Sequence, residues 1–114
     1  MEAKDARSAN GQQAAVDYLE EHGLHVLDRG WHHLCDQLDV VAVEGSTFVV
    51  CEIRSSGTTP FDEIDQAAAI KLRTLGEAWL IARGVDSGDV RIDVIGVQYE
   101  DADNFIIEHI RGVA

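Results

Sequence analysis

Two apolar, β-branched runs, Leu38-Asp39-Val40-Val41-Ala42-Val43 and Phe48-Val49-Val50-Cys51-Glu52-Ile53, flank Glu44-Gly45-Ser46. Runs of this kind around a short glycine turn predict a β-hairpin. If Gly45-Ser46 forms a two-residue turn of the II′ kind, Glu44 faces Thr47 and the register sets Asp39 opposite Glu52. Directly opposed residues share a face, with Cα atoms about 4.5–5.5 Å apart. A three-residue turn without a bulge would put the two acids on opposite faces instead. Facing carboxylates in an otherwise apolar hairpin repel. They either reach solvent at a sheet end or serve binding or catalysis.

Residues two apart on a strand share a face, so Glu52 and Arg54 project the same way. With Asp39 opposite Glu52, one face carries two acids and a guanidinium. Carboxylate oxygens in such a set suit Mg²⁺, with water and phosphate completing its shell. The rival reading is a salt bridge in which Arg54 neutralises the acids.

Around this hairpin the chain reads as one domain, residues 1–114, with 1–9 expected to be a flexible N-terminus. Ser8 is the expected N-cap of a first helix to about His22, with Ala14, Ala15, Tyr18 and Leu19 on one face and Gly23 as the stop. A short strand is expected at Leu24 to Leu27. Thr59, Pro60 and Asp62 read as the start of a second helix. Its apolar face follows through Phe61, Ile64, Ala68, Leu72, Leu75, Trp79 and Ala82 to Gly84, and a break near Ala67 to Ala69 is left open. Val90 to Tyr99 and Asn104 to Ile110 read as a second hairpin across Asp101-Ala102-Asp103. The element order predicts an α/β fold, a mixed sheet with helices packed on it.

Charge narrows the partners. Twenty-one acids against nine bases give −12, whereas nucleic-acid binders normally carry a basic footprint. A protein partner is thereby favoured over bare DNA or RNA. No apolar run reaches the roughly 20 residues that span a bilayer. The polar N-terminus shows no signal-peptide core. A cytoplasmic location without membrane attachment is expected, and it suits two free thiols at Cys35 and Cys51, the latter a core residue. His32-His33-Leu34-Cys35-Asp36, with His22 and His25 nearby, has metal-binding composition but matches no common zinc spacing.

Gly11-Gln12-Gln13-Ala14-Ala15 with Tyr18-Leu19-Glu20-Glu21-His22-Gly23-Leu24 resembles the opening of the YraN-like family, small proteins grouped with the PD-(D/E)XK nucleases. So do Asp36-Gln37-Leu38-Asp39, Val49-Val50-Cys51-Glu52-Ile53-Arg54, Arg91-Ile92-Asp93-Val94-Ile95-Gly96-Val97 and Glu108-His109-Ile110. The resemblance spans Gly11 to the C-terminus. It implies a restriction-endonuclease-like core and phosphodiester hydrolysis by metal-activated water. By resemblance Asp39 and Glu52 are the metal-binding acids, Arg54 contacts phosphate, and Gln12 and Gln37 take positions that are acids in the family. The family's site lysine is arginine here, which stays protonated and makes a poor general base. The resemblance therefore implies a Mg²⁺- or Mn²⁺-dependent endonuclease with a weakened or lost site. The alternative is a cofactor-free, inactive module that binds a protein of a nucleic-acid processing system. A third reading makes Asp39, Glu52 and Arg54 a structural ion-pair network.

Overall fold

The computed structural model describes residues 2–55, 66–85, 88–101 and 104–113. In chain order these form α1 (Glu2–Glu21), β1 (His25–His33), β2 (Asp36–Glu44), β3 (Thr47–Ser55), α2 (Gln66–Ala82), β4 (Asp89–Tyr99) and β5 (Phe105–Ile110). The five strands make one mixed sheet in sequence order. All neighbours run antiparallel except β3 and β4, which are parallel. A parallel pair needs a crossover connection, and α2 lies in it.

Each helix covers one face. Ala15, Val16 and Leu19 of α1 join Val40, Ala42, Val49, Cys51, Ile95 and Val97 in one buried cluster. Leu72, Leu75, Trp79 and Leu80 of α2 join Leu38, Val41, Val50 and Ile92 in another. Val40 and Val41, like Val49 and Val50, divide between the two, as the alternation of a strand buried on both sides requires. The mixed α/β architecture expected from the element order is therefore present.

Both helices end as their glycines suggested. Leu24 N–H bonds the Leu19 carbonyl at 2.9 Å across Gly23, and Val85 N–H bonds the Leu80 carbonyl at 2.9 Å across Gly84. This is the Schellman arrangement with its apolar clasp, since Leu19 and Leu24 share one cluster and Leu80 packs with Val85 in the other.

The expected elements need three corrections. α1 starts at Glu2, so Ser8 is inside the helix and is not its cap; the alanine-rich, charged residues before it are good helix formers. The first strand is not the short Leu24–Leu27 segment but runs His25–His33 and pairs with β2. Ala82 is exposed, and Leu80 fills the core position instead. α2 is continuous through Ala67 to Ala69. The expected helix start at Thr59, Pro60 and Asp62, with Phe61 and Ile64, lies outside the described residues, as does part of the β4–β5 turn. No described helix is long and apolar enough to cross a membrane.

The β1–β2 hairpin has no turn signature in the sequence because its turn is Leu34-Cys35, residues without turn chemistry. His33 pairs with Asp36, and Leu34 takes φ 58°, a left-handed conformation that disfavours a side chain. Leu34 is 90% exposed, so it buries almost nothing in return. Leu34→Gly is expected to stabilise the fold by roughly 0.5–1 kcal/mol, the relief of left-handed strain less glycine's greater unfolded-state freedom. A urea midpoint that falls in this variant would contradict that balance.

Candidate functional site

The β2–β3 turn sets the register of the site. Gly45 has φ 63° and Glu44 pairs with Thr47, followed by Val43–Phe48, Ala42–Val49, Val41–Val50 and Val40–Cys51. The next positions along this register are Asp39 and Glu52, as the two-residue turn requires. There the ladder stops, although β2 begins at Asp36 and β3 continues to Ser55. The two strands part like a fork, and the acids sit in its crotch.

β1 shows why the fork opens. Arg29 pairs with Val40 on the α1 side, where Arg29 Nη1 donates to Gln13 Oε1 at 3.0 Å. The next paired residues up the ribbon, Trp31 and Leu38, belong to the α2-side cluster. Pairs two apart share a face in a regular ladder, so the ribbon turns over between them, at Gly30 and Asp39. Gly30 has φ 62°, a backbone that side-chain-bearing residues seldom adopt. At this step Ile53 N–H donates to Asp39 Oδ2 at 2.9 Å, so a carboxylate ends the β2–β3 pairing.

The two acids disfavour each other's charge. Burial pushes the Asp39 carboxyl above its ordinary value, and the charge of Glu52 adds to the rise, against the opposing Ile53 hydrogen bond. Arg54 Nε donates to Glu52 Oε2, the two side chains being 30% and 23% exposed. Asp39, Glu52 and Arg54 are thus brought together. Two carboxylates at a strand fork can offer oxygens to a divalent cation that keeps several waters. Among the described residues no set of three His, Cys, Asp or Glu gathers to hold a metal ion.

The two amides stand differently. Gln37 is exposed on β2, with Nε2 directed at Gly30, 3.5 Å from where a Cβ would stand there. Gln12 is half-buried between Gln13, bonded to Arg29 of β1, and Gly11, which lies against Val97 of β4. His32 is exposed, while His33 stacks on Trp31 with ring centroids 5.3 Å apart.

Two features near the fork had no sequence signal. The Ile53 amide becomes a donor to Asp39 only because the strands part. Lys71 Nζ reaches from α2 to Asp36 Oδ1 at 2.7 Å, at the start of β2, a contact between residues 35 positions apart in the chain.

The positions that shape the fork fall within a region with many relatives. The model of the family described as "Uncharacterised protein family UPF0102" matches residues 11–97, from Gly11 on α1 to Val97 on β4. A UPF0102 protein of Beutenbergia cavernae is 36% identical over 117 residues, covering 99% of both chains. One from Kineococcus radiotolerans is 35% identical over 119 residues, covering all of this chain and 98% of the relative. A third, from Paenarthrobacter aurescens, is 32% identical over 117 residues, with 99% and 97% covered. The family model over most of the chain and relatives above 30% identity along nearly its whole length mean that this chain belongs to the UPF0102 family.

Proposed function

We propose that this chain is a nuclease-fold protein of restriction-endonuclease-like architecture, whose fork binds Mg²⁺ or Mn²⁺ weakly and acts on phosphodiesters of DNA or RNA with reduced activity. The observation that carries this reading is the Asp39–Glu52 pair, half-buried and mutually repelling at the point where β2 leaves β3. Such a pair is costly as pure structure, since burial and the Glu52 charge still raise Asp39 where Arg54 lies on Glu52. A divalent cation would relieve the repulsion, and the donor chemistry of two carboxylates suits one.

Asp39 and Glu52 would hold the ion, with Asp39 steadied by the Ile53 amide. A bound cation supplies Lewis acidity and an acidified water. Arg54 adds a fixed positive charge for a phosphate oxygen. Gln12 and Gln37 bring no charge, which lowers the affinity for metal, and Arg54, always protonated, is a poor general base.

Calorimetric titration of Mn²⁺ into metal-free protein tests the site. Wild type is expected to bind weakly, and an Asp39→Ala, Glu52→Ala double variant not at all. Binding that survives in the double variant would sink the assignment.

One observation favours a second reading, a module that binds a protein of a nucleic-acid processing system. Lys71, Arg83, Arg91 and Arg111 each lie on a carboxylate of the chain itself. Cations so engaged, in a chain of net charge −12, offer a polyanion little. A wild type that ignores Mn²⁺ altogether would turn the search towards such a partner.

A further inference from the structure

Arg54 occupies the very carboxylate that the proposed metal needs. Its Nε is hydrogen-bonded to Glu52 Oε2, and β3 alternation places both side chains on one side of the strand. An arginine cannot lose its proton to make room, because its guanidinium stays charged at any working pH. A divalent cation and a guanidinium on one carboxylate repel at close range.

We infer that Arg54 is the resident counter-ion of the fork, and that cation and phosphodiester enter together by giving it a new partner. This rests on the reading of Asp39 and Glu52 as a cation site. A cation alone must evict the guanidinium from Glu52 without replacing what it loses. A phosphodiester provides the replacement, since guanidinium pairs readily with phosphate oxygens through parallel N–H bonds. The two ligands therefore raise each other's affinity by the same factor, as thermodynamic linkage requires. Lysine in this place would block less, because a compact ammonium on a flexible stem withdraws more easily than a planar fork.

The test measures free Mn²⁺ by electron paramagnetic resonance in the intact chain, with dimethyl phosphate as a simple diester probe. Arg54→Gln is expected to bind Mn²⁺ about tenfold more tightly than wild type without diester, a typical size for coupling between two ligands. Excess dimethyl phosphate is expected to tighten Mn²⁺ binding severalfold in wild type and to leave Arg54→Gln unchanged. Arg54→Lys, which keeps the charge, should fall between them and serves if the glutamine variant fails to fold. Equal or weaker Mn²⁺ binding by both variants, with wild-type binding still abolished by Asp39→Ala, overturns the counter-ion role and leaves the cation site standing. Binding that persists after Asp39→Ala in the Arg54→Gln background overturns the site itself, and the inference with it. An absence of binding in every variant does the same.

Discussion

Asp93→Ala is expected to cost about 3–5 kcal/mol of folding stability, the usual result of removing one partner from a buried ion pair. Asp93 is fully buried on β4, yet each carboxylate oxygen is satisfied. Arg91 donates to Oδ1 from Nε at 2.9 Å and to Oδ2 from Nη2 at 3.0 Å. Gly112 N–H adds a 2.9 Å bond to Oδ1, and His109 Nε2 lies 2.7 Å from Oδ2. An ionised carboxylate only accepts, so the proton of that last bond is carried by His109. A neutral ring then leaves Nδ1 to accept from the Tyr18 hydroxyl, 3.2 Å away. The network so formed ties α1, β4, β5 and the chain after β5 together. Arg91 and Arg111 extend it to Glu44, each at 2.9 Å, beside the β2–β3 turn.

The pH dependence follows from the same contacts. Burial alone would raise the Asp93 carboxyl. The hydrogen bonds from His109, Arg91 and Gly112, with the charge of Arg91, overcome burial and hold it at about 2, below the ordinary 3.8. A depressed folded-state value means stabilisation that is fully present above the unfolded value near 3.8 and lost as pH falls through about 2. Acid unfolding of Asp93→Asn, which keeps the shape without the charge, should be flatter than wild type over that window. Urea melts of both variants at neutral pH check the magnitude. An Asp93→Ala loss under about 1 kcal/mol would show that the network contributes little beyond packing.

This contrast between Asp93 and Asp39 marks where the sequence is informative. The register from Glu44–Thr47 to Val40–Cys51 could be read in advance because a two-residue turn at Gly45 fixes it by local arithmetic along two strands, but the expected Asp39–Glu52 pair is not formed, since the ladder ends one step short of it. The helix stops at Gly23 and Gly84 were legible for the same reason, since a Schellman ending is confined to a few consecutive residues. Asp93 carried no comparable signal. Its partners lie 2, 16 and 19 positions further along or before it, and Tyr18 joins His109 across 91 positions. Strand alternation sets Arg91 beside Asp93, but only the finished sheet brings His109 and Gly112 to it. The β1–β2 hairpin was hidden differently: Leu34-Cys35 turns the chain against its own conformational preference, so propensity pointed away from the right answer. The opening of the fork was hidden too, because Gly30 shows its role only once Arg29 and Trp31 are seen on opposite faces.

A bulge in β1 leads to the second large effect, expected at Trp79. Val26 pairs with Ala42 and Asp28 with Val41, so Leu27 is an extra residue in the strand. The bulge moves Asp28 to the α2 side, where its Oδ2 accepts from Trp79 Nε1 at 2.9 Å and from Arg83 Nη2 at 2.6 Å. Arg83 also lies over the Trp79 ring, 4.9 Å from its centroid, and Phe48 packs against the ring at 6.0 Å. Trp79 itself is 3% exposed. Trp79→Ala should therefore cost about 3–5 kcal/mol, the usual toll of emptying an aromatic site in a core. Trp79→Phe keeps most of the packing and deletes the donor, so a loss of about 1–2 kcal/mol is expected. The pair of variants separates two ways of holding α2 on the sheet. If phenylalanine restores most of the stability in urea melts, burial of the ring anchors the helix and Asp28 merely orients it. If phenylalanine fares as badly as alanine, the indole hydrogen bond across the bulge is the anchor, and Asp28→Asn should then reproduce much of the loss.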